Sequence, residues 1–213
     1  MTMPVTPPAH RMCSRSVPMR SARAQSDGSA RGRVPGTCRT TIPFGRDNDG
    51  TPVSWDLSAG RNLLIQRDER RSSPSVALDL IALTILGGGT HELIVVDPHR
   101  RHRWLGETGT LSPGSYRWAS TTERITEVVA ELDSPVIARP RVLLVADLAA
   151  TVASLDEEHR ARLADVAADA GERQLLLVAT TADTNPRWYP EGLIEAFDDV
   201  VVRRREERSF SGF

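Results

Sequence analysis

The sequence predicts an α/β fold. We expect a mainly parallel sheet with helices on both faces, preceded by a short β-hairpin and a disordered N-terminal tail. Two observations predict this class. Several short segments are apolar without interruption, as expected of strands that are buried on both sides. Longer segments with helical spacing of apolar residues lie between them, and this alternation is typical of a parallel sheet covered by helices.

The N-terminal 40 residues are predicted to be disordered, and residues 41–213 are predicted to form one folded domain. The tail is rich in Pro, Ser, Gly and Arg and has no apolar period, so it cannot bury enough surface to offset the entropy of ordering. It holds seven Arg and one acid, a formal charge of +6, whereas the rest of the chain sums to −7. The tail is either a nucleic-acid-binding arm, a solvated extension, or a segment upstream of the true start codon.

Composition excludes several classes of protein. The formal net charge is −1, so no global field draws the chain to nucleic acid or to a membrane. Both cysteines, Cys13 and Cys38, lie in the tail, which suits a reducing compartment. No run approaches the length of about 18 apolar residues that a membrane span needs. We therefore expect a cytoplasmic protein. All basic residues are Arg, which resembles coding from a GC-rich genome, as in actinobacteria.

The first predicted elements are a hairpin, a strand and a helix. Apolar stretches on both sides of Asp49-Gly50 predict a hairpin with a two-residue turn. Residues 62–66 are predicted to be a buried strand. Residues 74–86 are apolar nearly all round and predict a buried helix, which the glycines at 87–89 end.

The remaining elements continue the alternation of strands and helices. Two amphipathic helices are each predicted to begin with a capping box, Ser120 with Glu123 and Ser154 with Glu157. Further strands are predicted over 91–98, 141–148, 173–181 and 198–204, and a short helix over 188–197. Ligands of parallel sheets bind beyond the carboxyl ends of the strands. The segments at those ends are 66–75, 97–103, 147–150 and 180–183.

Several segments carry a resemblance by their order and spacing. They read "IPFGRDNDGTPVSWDLSAGRNLLIQ", "LIVVDPHRR", "RVLLVADLAA", "QLLLVATTAD" and "LIEAFDDVVVRR". Together they resemble the FtsK/SpoIIIE superfamily, including the EccC ATPases of type VII secretion, from about residue 42 to the C-terminus. The resemblance implies a RecA-like P-loop NTPase fold. It places the phosphate loop after the first strand of the sheet and the Walker B segment in "RVLLVADLAA".

The phosphate loop departs from the pattern that its chemistry needs. In P-loop proteins a Gly-rich loop cradles the phosphates, a Lys neutralises them and a Ser or Thr holds Mg²⁺. Here "QRDERRSSPS" stands in its place, with Pro74 at the Lys position and Ser75 at the metal position. Pro has neither charge nor N–H. Asp68 and Glu69 add negative charge where phosphates would lie. Alternatively, Ser73 as N-cap and Pro74 as first helical residue start the helix without any ligand.

The Walker B segment also lacks one of its two acids. In one alignment, Ala146 stands at the position of the metal-binding Asp and Asp147 at that of the catalytic acid. In an alignment shifted by one residue, Asp147 stands at the metal position and Leu148 at the position of the acid. The resemblance therefore implies a degenerate copy with no catalytic residue and no certain metal ligand. ATP and Mg²⁺ are the candidate cofactors. The candidate nucleotide-binding residues are Arg70, Arg71, Ser72, Ser73, Ser75, Asp147 and, at the position of the family's sensor Gln, Thr181.

Two other groups of residues are weaker candidates. The segment "DPHRRHR" at 97–103 is interpreted as a solvated loop, a phosphate or DNA contact, or part of a metal site. Trp104, Trp118 and Trp188 lie near predicted loops and are expected to pack against the domain instead of stacking on bases.

The favoured hypothesis is a non-hydrolysing ATPase-fold domain that is a partner or regulator of a DNA-translocation or secretion motor. The candidate partners are an active FtsK/EccC-like motor, a second copy of the chain, and DNA. The alternative is a DNA-associated ATP-binding protein, or an ATPase with a noncanonical phosphate loop.

Overall fold

The computed structural model describes residues 41–47, 49–67, 76–104, 116–134 and 139–202. Within them the chain forms two sheets flanked by α-helices. The strands are β1 (Thr41–Arg46), β2 (Pro52–Asp56), β3 (Leu63–Gln66), β4 (Glu92–Val96), β5 (Tyr116–Ala119), β6 (Arg141–Val145), β7 (Leu175–Thr181) and β8 (Asp199–Val202). The helices are α1 (Val76–Gly88), α2 (Thr122–Glu131), α3 (Leu148–Ser154) and α4 (Glu157–Ala168).

Six strands form one sheet in the order β5-β4-β6-β7-β3-β8. Every neighbouring pair in it is parallel. β7 lies between β3 and β6, so the strand before the predicted phosphate loop and the predicted Walker B strand are not neighbours. The predicted fold class is confirmed. Among the described residues, no helix is long and apolar enough to cross a lipid bilayer.

The sheet is buried on both faces because its side chains alternate between them. Leu63 and Ile65 of β3 contact the core under α1, and Leu64 contacts the core under the other helices. We call these the α1 face and the opposite face. The hairpin β1-β2 also packs on the α1 face. The core there includes Ile42, Phe44, Trp55, Leu78, Ile81, Ile85, Val95, Leu144, Ala146 and Val178. The core of the opposite face includes Ile94, Ile125, Val128, Val145, Leu148, Val152, Leu163, Leu177, Tyr189 and Phe197.

Helix α1 is buried along one side only. Leu78, Ile81 and Ile85 are buried, whereas Leu80 and Leu83 are 42% and 47% exposed. The prediction of a helix buried all round is therefore wrong, because the helix lies on the outer surface of the sheet. Its predicted start at Ser73 or Pro74 lies outside the described residues.

The predicted hairpin is confirmed, but its two-residue turn is wrong. Arg46 pairs with Pro52, so the connection covers residues 47–51. The Asp47 carboxylate accepts hydrogen bonds from the N–H groups of Asp49 (3.0 Å) and Thr51 (2.8 Å). This local bonding stabilises a longer loop than the Asp-Gly pair alone predicts.

The predicted capping boxes are wrong in position. Thr121, and not Ser120, caps α2, accepting from the N–H of Arg124. Ser154 is the last residue of α3, and its hydroxyl donates to the carbonyl of Thr151 at 2.7 Å. The helix that follows is instead capped by Asp156, which accepts from the N–H of His159 at 2.9 Å. Neighbouring Ser, Thr and Asp residues compete for each cap, and the chain path selects one.

The apolar pattern does not predict two regions correctly. β5 was not predicted because it is a short edge strand interrupted by Arg117, which forms a salt bridge with Glu92 at 3.0 Å. The helix predicted over 188–197 is wrong. Pro186–Trp188 is a single 3-10 turn and residues 191–196 form turns, in which Gly192 has a φ of 82°. Leu193 and Phe197 are still buried in the core.

Candidate nucleotide site at the carboxyl edge of the sheet

The carboxyl ends of β3, β6 and β7 meet at one edge of the sheet. Gln66, the last residue of β3, pairs with Thr181 of β7, and the N–H of Arg67 donates to the Thr181 carbonyl at 2.7 Å. The predicted phosphate loop leaves β3 at this point. Of the seven candidate nucleotide-binding residues, the structure places Asp147 and Thr181. Arg70, Arg71, Ser72, Ser73 and Ser75 lie outside the described residues, as do Asp68, Glu69 and Pro74.

Both carboxylate oxygens of Asp147 have partners. Asp147 has an extended backbone and caps α3, with Oδ1 accepting from the N–H of Ala150 at 3.0 Å. Its Oδ2 lies 3.2 Å from Nε2 of His99. The main-chain carbonyl of Asp147 also accepts from the Thr151 hydroxyl at 2.8 Å. The side chain therefore connects the start of α3 with the loop after β4.

Ala146 occupies the other position at the end of β6. Its N–H donates to the Val96 carbonyl at 2.9 Å, and its side chain lies in the core of the α1 face. Its carbonyl accepts a hydrogen bond from the Thr180 hydroxyl. Asp147 caps a helix of the opposite face. The pleat of β6 therefore directs an alanine toward α1 and leaves the acid on the other side.

Thr181 holds the loop that follows β7. It is 1% exposed, and its hydroxyl lies 2.6 Å from the Tyr189 hydroxyl and 2.7 Å from the Asp183 carbonyl. Burial raises the pKa of Tyr189, and the charges of Asp183 and Asp147 raise it further. The phenol is thus a neutral hydrogen-bonding group at neutral pH. Thr181, the residue predicted at the sensor position, is thus engaged in the structure of this loop.

The segment 97–103 is more buried than a solvated loop. Asp97 is fully buried and accepts from the N–H of His102 at 2.6 Å. His102 is 1% exposed, and its Nδ1 lies 2.6 Å from Oδ1 of Asp79 in the first turn of α1. His99 contacts Asp147, as described above. The two histidines thus connect β4 with α1 and with α3. Among the described residues, no group of three or more His, Cys, Asp or Glu could hold a metal ion.

Sequence reasoning did not find the pairs of His102 with Asp79 and of His99 with Asp147. Their members are 23 and 48 positions apart. A contact of this kind leaves no local pattern, because it exists only once strands and helices have packed.

The packing expected of the tryptophans holds for two of the three. Trp104 and Trp118 are partly buried against the core of the α1 face. For Trp188 the prediction is wrong, because its side chain is 63% exposed. Its indole Nε1 donates to Oδ2 of Asp183 at 3.1 Å.

No protein-family model matches the sequence, and no curated protein matches it. Solved structures do match. EccC from Thermomonospora curvata (ATPases 2 and 3, in complex with a signal sequence peptide) is 23% identical over 75% of this chain and 32% of its own length, with a TM-score of 0.55. The cytoplasmic domain of EssC is 15% identical over 78% of this chain and 36% of its own, with a TM-score of 0.56. The pCW3 conjugation coupling protein TcpA is 10% identical over 78% of this chain and 55% of its own length, with a TM-score of 0.54.

The shared parallel sheet and its flanking helices decide the architecture. The fold is that of a P-loop ATPase domain. At identities below 25%, the similarity establishes the fold and not the activity. The chain also spans less than two thirds of the length of these proteins.

A P-loop ATPase domain that hydrolyses ATP supports Mg²⁺ between the start of α1 and a carboxylate of the Walker B strand. In this fold, the residue directly after β6, Ala146, lies in the core of the α1 face, and the neighbouring acid, Asp147, caps a helix of the opposite face. The described residues of the site therefore do not fit a supported Mg²⁺ ion.

A cavity lies at the other edge of the sheet. It has a volume of about 480 Å³ and is lined by small residues of α4 and the turns before β8, together with Asn62, Glu195 and Asp198. These residues surround the amino end of β3, not its carboxyl end. The cavity therefore does not belong to the candidate nucleotide site.

Proposed function

We propose that this chain is an ATPase-fold domain that does not hydrolyse ATP and that is a partner or regulator of an active secretion or translocation motor. It is a cytoplasmic protein in this proposal. The observation that carries it is the engagement of Asp147 as the cap of α3 and the partner of His99.

A hydrolytic site needs groups that are oriented toward the phosphates and the metal before the reaction. Asp147 would have to lose the Ala150 N–H and the His99 ring to take that role. Losing a helix cap costs about 1 kcal/mol. Ala146 offers no carboxylate toward α1. These features support a domain in which the Walker B position has become structural.

The sequence of the loop supports the same proposal. Pro74 stands where a Lys would neutralise phosphates, and Asp68 and Glu69 add two negative charges. Removing one stabilising donor typically slows a reaction by ~10²–10³-fold. Several such groups are absent together here. Arg70, Arg71, Ser72, Ser73 and Ser75 remain the residues that would contact a weakly bound nucleotide.

The proposal of a motor as partner rests on the solved structures that share this fold. The EccC structure contains two ATPase units, and this chain covers 32% of it. A domain with the same fold and a silent site is suited to pack beside an active one and to modulate it. The proposed partner is an active motor of this kind. A second copy of the chain and DNA are the other candidates.

One observation favours the second candidate function, a DNA-associated ATP-binding protein. The first 40 residues carry a formal charge of +6. Clustered arginines neutralise phosphates without reading sequence. In that case, DNA binding should weaken steeply with salt and depend on residues 1–40.

Phosphate release from Mg-ATP by the purified full chain tests the main proposal. We expect no hydrolysis above background, and no difference between the parent chain and Asp147→Ala. Calorimetric titration with ATP, with and without Mg²⁺, should show weak binding or none, with no gain from the metal.

Hydrolysis that Asp147→Ala abolishes would show that the chain is an ATPase with a noncanonical loop. Tight ATP binding without turnover would make it a nucleotide sensor. Asp68→Ala should then tighten binding, because it removes a like charge near the phosphates.

A further inference from the structure

Trp188 differs from Trp55 in its exposure to solvent and in its hydrogen-bond partner. Trp55 is 2% exposed and donates from its indole to the Arg61 carbonyl at 2.9 Å, inside the core of the α1 face. Trp188 is 63% exposed. A large aromatic side chain that is mostly exposed while its polar edge is hydrogen-bonded is typical of a recognition surface.

The loop that carries Trp188 is organised around Asp183. Its Oδ2 accepts from Trp188 Nε1 at 3.1 Å, and its Oδ1 accepts from the N–H of Asn185 at 2.9 Å. Its carbonyl lies 2.7 Å from the Thr181 hydroxyl and 2.6 Å from the Tyr189 hydroxyl. The side chain and carbonyl of one residue therefore bind four groups of the loop.

The turn around Trp188 has further local bonds. The Asn185 side chain caps it, accepting from the N–H of Arg187 at 3.1 Å. The N–H of Tyr189 donates to the Pro186 carbonyl, and the Tyr189 ring is buried. These bonds order the turn, and the bond to Asp183 restrains the polar edge of the indole. Preorganisation of this kind lowers the entropic cost of binding a ligand.

The position of the ring is at the ligand-binding edge of the sheet. The loop begins after Thr181, the residue that pairs with the end of β3. The Thr180 hydroxyl donates to the Ala146 carbonyl, so the start of this loop also lies beside the end of β6. Arg187, which precedes the indole, is exposed.

The chemistry around the ring selects the class of ligand. Asn185, Pro186 and Arg187 are exposed beside it, so the indole is a single aromatic surface among mostly polar groups. A protein partner with an apolar patch would require a wider apolar area. A flat heterocycle with an attached anion matches an exposed indole whose neighbour in the chain is an exposed arginine.

We propose that Trp188 and Arg187 bind an unpaired nucleobase and its phosphate, with the base stacked on the indole and the phosphate contacted by the guanidinium. This goes beyond the proposed function, because stacking requires neither the Walker lysine nor Mg²⁺. The base can belong to a free nucleotide or to single-stranded nucleic acid, since both carry the same two groups.

The test uses the full chain and two probes, ATP and a fluorescently labelled oligothymidylate. Binding is followed by calorimetry for ATP and by fluorescence anisotropy for the oligonucleotide. We expect Trp188→Ala to weaken binding of the recognised probe by about tenfold or more. Trp188→Phe should retain part of the affinity, and Arg187→Gln should reduce the salt dependence of binding.

Leu83→Ala is the matched control, because it also removes an exposed apolar side chain, on α1, and should leave binding unchanged. Circular dichroism would verify folding of each variant. Binding of ATP alone assigns the base to a nucleotide, and binding of the oligonucleotide alone assigns it to nucleic acid. Equal affinity of the parent chain and Trp188→Ala for both probes, or binding of neither, would overturn the proposal. Absence of ATP hydrolysis is a separate readout and does not bear on it.

Discussion

The two edges of the central sheet use polar side chains in similar ways. At the amino edge, Asn62 precedes β3 and is 5% exposed. Its Nδ2 donates to the carbonyls of Ala167 (3.1 Å) and Ala196 (2.9 Å), and its Oδ1 accepts from the N–H of Leu177 (2.9 Å). One side chain thus joins α4, β7 and the turns before β8.

Arg141 has the same role at that edge. It is 6% exposed and begins β6. Its guanidinium donates to the carbonyls of Leu132 (2.9 Å) and Ser134 (3.1 Å), which follow the end of α2. Burial lowers its pKa. The bond to Leu132, the C-cap of α2, satisfies a carbonyl that the helix itself leaves without a partner.

The carboxyl edge is where a P-loop ATPase would hold its ligand, yet here it resembles the amino edge. Asp147 caps α3, and Thr181 ties the loop after β7. Among the described residues, Trp188 distinguishes the carboxyl edge, because its indole is hydrogen-bonded to Asp183 and its side chain is mostly exposed. At both edges, polar side chains at the ends of strands therefore connect neighbouring elements of the fold.

The largest expected effect concerns the amino edge. Asn62→Ala should lower the free energy of unfolding by roughly 3 kcal/mol, because three hydrogen bonds are lost, two of them buried, and the buried Leu177 N–H loses its Asn62 acceptor. Urea unfolding measures this. Asn185→Ala, which removes an exposed cap at the other edge, is the matched control and should cost about 1 kcal/mol or less. Equal costs would contradict the contrast between buried and exposed amides.

A smaller effect is expected at Asp147. Asp147→Ala should lower the free energy of unfolding by about 1 kcal/mol through loss of the α3 cap. Asp147→Asn should retain most of it, because an amide oxygen still accepts from the Ala150 N–H. Thermal or urea unfolding of both variants checks this. If Asp147→Asn lowers the free energy of unfolding as much as Asp147→Ala does, the charge of the carboxylate contributes more than the helix cap.

The hydroxyl of Tyr189 should make stability depend on alkaline pH. The pKa of Tyr189 is raised in the folded chain above about 10, the value of an unfolded tyrosine. The folded state then retains a proton that the unfolded state loses, so this contribution is present below about pH 10 and is lost as pH rises beyond it.

Tyr189→Phe should therefore flatten the alkaline decline in the free energy of unfolding, measured by urea titration from neutral to alkaline pH. At neutral pH it should cost about 1 kcal/mol for the lost hydrogen bonds. Tyr116→Phe is a useful comparison, because burial also raises the pKa of Tyr116. An unchanged alkaline decline in Tyr189→Phe would contradict this assignment.

The smallest expected effect is from deletion of residues 1–40. The segment has no apolar period to pack on the domain, so the thermal midpoint should not change measurably. Scanning calorimetry of the two chains measures this. A clear fall in the midpoint would show that the tail contributes to the folded core.

The sequence by itself determined the order of the main strands and helices and the α/β class. Apolar runs such as 93–96 and 175–179 are local, and burial on both faces requires them wherever the strand lies in the sheet. The resemblance also predicted which positions correspond to those that carry the chemistry in an active ATPase. It named Asp147 and Thr181 but could not assign their roles.

Only the tertiary structure decided what those residues contact. The pleat of β6 turns Ala146 toward α1, and packing brings His99 to Asp147 and His102 to Asp79. The same packing fixed Trp188 at the surface when sequence predicted that it would be covered. Such contacts join residues from separate elements, and their energies depend on distances that exist only after the sheet and helices have assembled.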